Sequence, residues 1–244
     1  MHRGLRVGAV IPARDEERAI GAVVAGLAAL TDQEGRPVVD DLVVCDNGSG
    51  DRTAAHARAA GARVVREEQP GYGIACRTAI AALRPVDVVL FTDGDGSFLP
   101  HQSLRLLEAV AEGAHLAVGS RALGHRQPGA LSLPQRAGNR VAALLIQLRW
   151  GQRITDLGPY RAIRRTALET IGMRDQAYGW TVEMQVRAMR EGLRIAEVPV
   201  DTLRRRGGRS KVGGTVRGVI GASVGILGTI AKLAGSTRSQ KRSS

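Results

Sequence analysis

The chain predicts an α/β fold on a mostly parallel central sheet, and three observations carry that reading. Short apolar, β-rich runs alternate with helical segments through the first 120 residues, the pattern of βαβ units. The apolar runs end in loops rich in Gly, Asp, Asn or Pro, and so deliver polar side chains to the carboxyl edge of the sheet, where open α/β folds bind ligands. With 43% apolar and 24% charged residues in 244, the chain can bury a full core.

In chain order, residues 5–11 form a strand and 18–30 a helix, with Ile20, Val23, Val24, Leu27 and Leu30 on one face. Residues 42–45 are a strand, 53–60 a helix ended by Gly61, 63–65 a strand, 73–83 a helix and 87–92 a strand. A helix at 100–112 and a strand at 116–118 close the first half. The second half has a helix at 135–150, a short strand at 160–163, a helix at 166–171, a helix at 180–190 ended by Gly192, and a strand at 193–200. A basic loop (204–211) leads to a last helix from about 215 to 233, and a polar, basic tail follows. The expected organisation is one folded unit over 1–215, in two halves (1–120 and 121–215). An amphipathic helix (216–235) and a disordered tail (236–244) complete it.

A net charge of +12 calls for an anionic partner. Aromatics are only 3% of the chain, too few for the stacking platforms of single-strand binders, so nucleic acid is not the expected partner. Cys45 and Cys76 read as small core residues. No N-terminal signal peptide is visible, which gives a cytoplasmic expectation. The uncharged stretch at 218–231 is shorter than the roughly 20 residues that span a bilayer. Val216, Val219, Ile220, Val224, Leu227 and Ile230 form an apolar stripe there, and Gly221, Gly225 and Gly228 another face. With the basic tail, the preferred expectation is an interfacial helix on the inner face of the plasma membrane; the alternative is a helix packed on the core.

The chemistry lies in the loops. Asp93-Gly94-Asp95 directly follows Val88-Val89-Leu90-Phe91, so two carboxylates arrive together at the sheet edge. Paired there, they suit a hard divalent cation that also holds a diphosphate. Alone, such a pair is also ordinary turn chemistry. The first strand runs into Pro12-Ala13-Arg14-Asp15-Glu16-Glu17, where Glu17 reads as a first-turn carboxylate of the next helix. The second ends in Asp46-Asn47-Gly48-Ser49-Gly50-Asp51, where Asp46 is placed to accept from a ribose or base and Ser49 or Asp51 to cap a helix. No G-x-G-x-x-G follows the first strand; Gly71-Tyr72-Gly73 is a fragment of it after the third, so a dinucleotide site is not expected.

These motifs carry a resemblance. P-A-R-D-E-E at 12–17, C-D-N-G-S-G-D-R-T at 45–53, F-T-D-G-D-G at 91–96 and G-S-R at 119–121 come in the order and spacing of the family 2 glycosyltransferases. T-D-L-G-P-Y-R-A at 155–162, Y-G-W-T-V-E-M-Q at 178–185 and R-R-G-G-R-S-K at 205–211 look like the polyprenyl-phosphate sugar synthases within that family. The resemblance covers about residues 5–215, and implies that 1–120 is the nucleotide-sugar-binding half and 121–215 the acceptor-side half of one glycosyltransferase domain. It implies a GT-A fold, a nucleotide-diphosphate-sugar donor and Mg²⁺ or Mn²⁺. By motif position, Pro12, Ala13, Arg14 and Glu16 line the nucleotide pocket, and Val44 and Asp46 contact base and ribose. Asp93, Gly94 and Asp95 hold donor and metal, with Asp95 the stronger ligand; Arg121, Arg205 and Lys211 engage phosphates. The chain departs from the family pattern at Arg14, where an aromatic is frequent, at Asn47 in place of a second aspartate, and at Gly94 in place of alanine. These bear on base and sugar identity more than on reaction class.

The implied reaction is inverting hexosyl transfer, in which stabilising the departing nucleoside diphosphate dominates. A polyprenyl phosphate acceptor is already ionised, whereas a hydroxyl acceptor, soluble or lipid, needs a base. Glu183 is the first choice for that base and Asp156, on the loop before Gly158-Pro159, the second; Glu183 also reads as a first-turn carboxylate of its helix or as an orienting partner for an arginine. The loop at 204–211 is either a solvated basic turn or a phosphate-closing loop, the latter favoured by its glycines. Alternatives are a nucleotide-sugar-binding or nucleotidyltransferase-like protein without glycosyl transfer. Self-association is left open.

Overall fold

The computed structural model describes residues 2–206 and the helix 216–235, with side chains in that helix from 225 onward. Lys211 therefore lies outside the described residues, as do the remainder of the 204–211 loop after Arg206, the apolar-stripe side chains up to Val224, Gly221 and the 236–244 tail.

Seven strands form one sheet: β1 (Val7–Ala13), β2 (Asp41–Asp46), β3 (Arg63–Arg66), β4 (Val88–Phe91), β5 (Leu116–Ser120), β6 (Arg161–Arg164) and β7 (Ile195–Pro199). Their order is β3-β2-β1-β4-β6-β5-β7. Neighbours are parallel except β6, which runs antiparallel between β4 and β5. The first and second halves of the chain thus share a sheet. The eight helices described are α1 (Ile20–Ala28), α2 (Thr53–Ala59), α3 (Tyr72–Ala82), α4 (Ser103–Ala111), α5 (Leu133–Trp150), α6 (Arg165–Ile171), α7 (Trp180–Arg190) and α8 (Val216–Gly235).

The period-2 pattern of the strands divides the core. Val7, Ala9 and Ile11 of β1 and Val88 and Leu90 of β4 face α1 and α4, while Val10, Val89 and Phe91 face α3 and α7. Cys45 and Cys76 are buried and unpaired in the second layer, as expected. A third cluster joins Ala142, Ala143 and Ile146 of α5, Val182 and Val186 of α7, and Ile230 and Leu233 of α8.

Three boundaries differ from the sequence reading for identifiable reasons. β1 continues through Pro12 because β4 pairs only as far as Val10; the missing N–H falls where that neighbour has ended. α5 starts at Leu133, two residues early, because Ser132 and Gln135 form a capping box. The chain between β1 and α1 is loop to Ala19, so Glu17 does not serve α1. Its carboxylate accepts from the Arg52 N–H at the start of α2 instead, while its carbonyl meets Nδ1 of His56.

α8 also differs from the preferred expectation. Its C-terminal half packs on α5 and α7, with Ile230 and Leu233 buried and the Thr229 hydroxyl donating to Asp175. Leu227 stays exposed. A Cβ at Gly228 would meet nothing within 4 Å, so that glycine is not a close-packing site. Among the described residues no helix is long and apolar enough to cross a membrane.

Candidate active site

The carboxyl ends of β1, β2 and β4 bring the first three motif loops together. The 14–17 and 49–53 loops are laced to each other. Asp15, in the left-handed region at φ 52°, accepts from Gly50 N and donates its own N–H to Ser49 Oγ. Glu16 N donates to Thr53 Oγ1 and Glu17 N to Asp51. Asp51 also accepts from Thr53 N, which is the capping role expected of it. Asp46 is buried at the strand tip and accepts from Ser49 N. Pro12 and Ala13 are buried at the end of β1, and Arg14 is exposed at the rim. Val44 corrects an expectation: it is wholly buried between β1 and β3 in the core, with no surface for a base. Its part is to fix the strand that carries Asp46.

Asn47 explains one departure from the family pattern. Its amide donates to the carbonyls of Glu67 and Gln69, and its Oδ1 accepts from Gly71 N. A carboxylate has no hydrogens to donate there. Asn47 thereby ties the loop after β3 to the nucleotide side. Gly94 explains another. A Cβ there would lie 3.1 Å from Ile20 Cδ1 and 3.4 Å from Ala13 Cβ, so the bare backbone lets the start of α1 approach.

Asp95 is buried, and its Oδ1 accepts from Ser97 N at 2.8 Å and Ser97 Oγ at 2.5 Å. Its Oδ2 faces Arg205 NH1 at 3.3 Å. Arg205 also pairs with Glu16, so one guanidinium bridges the first and third loops. The chain on either side of Arg205 is strapped down by Leu203 N on Ser97 O and Arg206 N on Asp95 O. Asp93 is half-buried and accepts from the Tyr72 hydroxyl at 3.2 Å. Burial first, and then the neighbouring Asp95 charge, push its carboxyl up to about 7.

Among the described residues no three His, Cys, Asp or Glu side chains form a closed metal cage. One or two carboxylates at a sheet edge are the donor set that Mg²⁺ or Mn²⁺ uses when substrate phosphates complete the coordination. Asp93 and Asp95 fit that mode.

On the other side of the sheet edge, Asp156 and Arg121 form a buried bidentate pair. Asp156 Oδ2 accepts from Arg121 N and Nε, both at 2.7 Å, and Oδ1 from Arg121 NH2 at 2.6 Å and Leu157 N at 2.8 Å. Burial alone would raise the Asp156 carboxyl, but Arg121 and these N–H donors outweigh it and hold it below the usual carboxylate range. Glu183 is equally engaged. Its Oε2 accepts from Arg174 N and Asp175 N, and its Oε1 from Arg187 Nε at 2.7 Å. The loop it holds packs its 175 and 176 carbonyls against Gly73 and Gly71, and Gln176 O accepts from Ile74 N. Both carboxylates are thus engaged by an arginine and by backbone N–H groups.

Two residues that lie within the quoted motifs but were given no role there also belong to this region. Tyr72 is one. Arg161, fully buried, donates to Gly158 O and Thr181 O, and burial pulls its guanidinium down to about 10. A pocket of about 250 Å³ opens between the 121–126 loop, the first half of α5 and residues 155–157. Arg121, Arg126, Arg136 and Arg140 line it together with the apolar Leu131 and Leu157. Arg136 Nε is buried there and without a hydrogen-bond partner. Two of the motifs contribute to its lining, through Arg121 and residues 155–157, whereas Arg126, Arg136 and Arg140 lie in none.

Comparison with known proteins agrees with this geometry. The family model described as glycosyl transferase family 2 matches residues 9–172. A dolichyl-phosphate hexose transferase of Haloferax volcanii is 35% identical over 202 residues, covering 81% of this chain and 82% of that one. An undecaprenyl-phosphate mannosyltransferase of Micrococcus luteus is 31% identical over 241 residues, covering 90% and 91%. Among solved structures, glucosyl-3-phosphoglycerate synthase from Mycobacterium tuberculosis with UDP is 26% identical, with a TM-score of 0.76, covering 97% of this chain and 82% of that one. That enzyme is also known with Mn²⁺ or Mg²⁺ beside UDP. An α/β sheet with its D-x-D at the edge, the ordered loop motifs and the match over most of the chain make this protein a member of glycosyl transferase family 2, with the GT-A fold.

Proposed function

We propose that the protein is an inverting hexosyltransferase that moves a sugar from a nucleoside-diphosphate donor, of the UDP-glucose or GDP-mannose type, to a polyprenyl phosphate at an anionic membrane surface. The observation that carries the choice of acceptor is that Asp156 and Glu183 are both consumed by internal hydrogen bonds. A hydroxyl acceptor needs a base; a phosphate does not. The arginine pocket with its orphan Arg136 Nε suits the acceptor's phosphate, and its apolar wall the first isoprene units. The names of the Haloferax and Micrococcus relatives support a lipid phosphate, and the Mycobacterium synthase supports a nucleotide donor with a divalent ion.

In this reading Asp46, with the backbone around Pro12, Ala13 and Arg14, holds the nucleoside. Asp95, with Asp93 beside it, would hold Mg²⁺ or Mn²⁺, which supplies positive charge to the departing diphosphate. An acceptor phosphate oxygen attacks the anomeric carbon while the bond to the donor's β-phosphate oxygen breaks, and the configuration inverts. Arg205 and Lys211 take up the charge on the leaving diphosphate. Arg121, oriented by Asp156, meets the phosphates from the other side.

The test is incubation with labelled nucleotide sugars and polyprenyl phosphate. A butanol-extractable, acid-labile sugar product with release of nucleoside diphosphate is expected. No lipid product with any donor, but transfer to a hydroxyl compound, would favour the alternative acceptor. Release of sugar 1-phosphate instead would point to nucleotidyl transfer.

A further inference from the structure

The second half of α5 is apolar on two opposite faces. Ala142, Ala143 and Ile146 face α7 and α8 in the third core cluster. Val141, Leu144, Leu145 and Leu148 recur at i, i+3, i+4 and i+7 on the opposite face and are 51%, 53%, 38% and 75% exposed. A helix packed on a core normally turns a polar face to water, and contiguous exposed apolar surface of this kind marks an interaction site. Leu227 of the adjoining α8 is exposed too. The membrane-facing element expected from the sequence was α8; its described half is instead the support on which α5 lies.

The charge around this face identifies its partner. From Gly113 to Thr155 the chain has six arginines and no acidic residue, and after Asp201 it has ten Lys and Arg and again none. The remaining 19 Lys and Arg are outnumbered by all 23 Asp and Glu. The whole positive excess thus sits in the two segments that contain α5 and α8, which pack on each other. Arg140, Arg149 and Arg153 are exposed in and just after α5. A second copy docked face to face on α5 would set arginine against arginine with no carboxylate from either segment to pair them. An anionic lipid surface takes both components: acyl chains for the leucines, head groups for the arginines.

We infer that the Val141–Leu148 face of α5 inserts at the surface of an anionic bilayer and is the principal membrane contact of this protein. Its biological sense rests on the lipid-acceptor reading. The arginine pocket lies along the first half of the same helix, so a lipid phosphate seated there can run its chain along the stripe into the bilayer.

The experiment uses the full chain and its Leu144→Glu/Leu148→Glu variant, with Leu144→Ser/Leu148→Ser as a second in case the first misfolds. Both positions are exposed, so unchanged circular dichroism and Tm are expected. The wild type is expected to sediment with phosphatidylglycerol-containing vesicles, more weakly with phosphatidylcholine alone and more weakly at high salt. The variants are expected to lose at least about tenfold in vesicle affinity, given the apolar area withdrawn from lipid. They should keep their transfer rate to a water-soluble short-chain prenyl phosphate. Equal vesicle binding by variant and wild type, or no binding by the wild type, overturns the inference. So does a wild-type dimer in sedimentation equilibrium that the variants abolish while no form binds vesicles, which would assign the face to a second copy. Loss of vesicle binding in the variants with no transfer to any prenyl phosphate by either form upholds the membrane face and sinks the acceptor reading alone.

Discussion

The Tyr72 hydroxyl, at the start of α3, donates to Asp93 Oδ1 at 3.2 Å, and so ties the first carboxylate of the D-G-D loop to the loop after β3. Asn47 fixes that loop from the other side. The bond favours the ionised carboxylate, against the burial and the Asp95 charge that raise it to about 7.

The pH dependence follows from the sign of that shift. The folded pKa lies above the unfolded value of about 3.9, so Asp93 costs stability as pH rises from there through about 7. Binding of a divalent ion with the donor requires the ionised form, so it should tighten as pH rises towards 7 and level off above. Tyr72→Phe removes the donor but keeps the ring. It should move that inflection up by about one pH unit, since a hydrogen bond to a charged group contributes about 1.5–3 kcal/mol. Calorimetric titration of UDP with Mn²⁺ from pH 5.5 to 8.5 measures it; an unmoved inflection would remove Tyr72 from the donor site.

The Arg121–Asp156 pair should behave as one unit. Asp156 is 1% exposed and meets Arg121 through three hydrogen bonds. Asp156→Asn leaves a buried guanidinium without its counter-charge, which costs about 3–5 kcal/mol when one partner of a buried pair is removed. Chemical denaturation should show that loss. Arg121→Lys keeps the charge but not the fork; it should lower kcat/KM for the acceptor about tenfold or more with a smaller loss of stability. An Asp156→Asn variant as stable as wild type would show that the pair carries no structural role.

The site was legible in the sequence where a motif sits on a strand end. Asp46 and Asp93–Asp95 could be placed because period-2 strands fix which residue comes last at the sheet edge, and the structure puts them there. Glu183 was legible as a site neighbour but not as a clamp. Its partners are the backbone N–H groups of Arg174 and Asp175, and no side-chain pattern reports where a loop's amides point. Val44 was misplaced because motif position does not reveal that both faces of β2 are covered, leaving only its tip open. The arginine pocket was missed because nearly all its walls come from the single stretch 121–157, and sequence does not report how α5 folds back against the loops on either side of it. The antiparallel insertion of β6 between β4 and β5 is likewise invisible to a reading of alternating strands and helices.

Glu183→Gln separates a base from a clamp. Glutamine keeps one acceptor oxygen but turns an amide towards backbone N–H groups or Arg187, so at least one of the three bonds is lost. The expected result is a loss of about 1–3 kcal/mol in unfolding free energy with kcat within about threefold of wild type below the melting range. A kcat fall of about a hundredfold or more, the scale on which general bases act, in a variant of normal stability would restore Glu183 as a base.

Asp95→Asn isolates the charge of the D-G-D loop from its geometry. The Asn Oδ1 can still accept from Ser97 N and Oγ, so the turn and the strap from Arg206 N to the 95 carbonyl should survive. Unfolding free energy is expected to change by less than about 1 kcal/mol. What disappears is the negative charge opposite Arg205 and the hard anionic oxygen that Mg²⁺ or Mn²⁺ prefers. Transfer should fall by about a thousandfold, the several kcal/mol that charge stabilisation of a leaving group supplies. UDP titrated alone should bind about as well as before, while the gain in affinity on adding Mn²⁺ should vanish. A variant that keeps both its activity and its metal-dependent gain would move the metal away from Asp95.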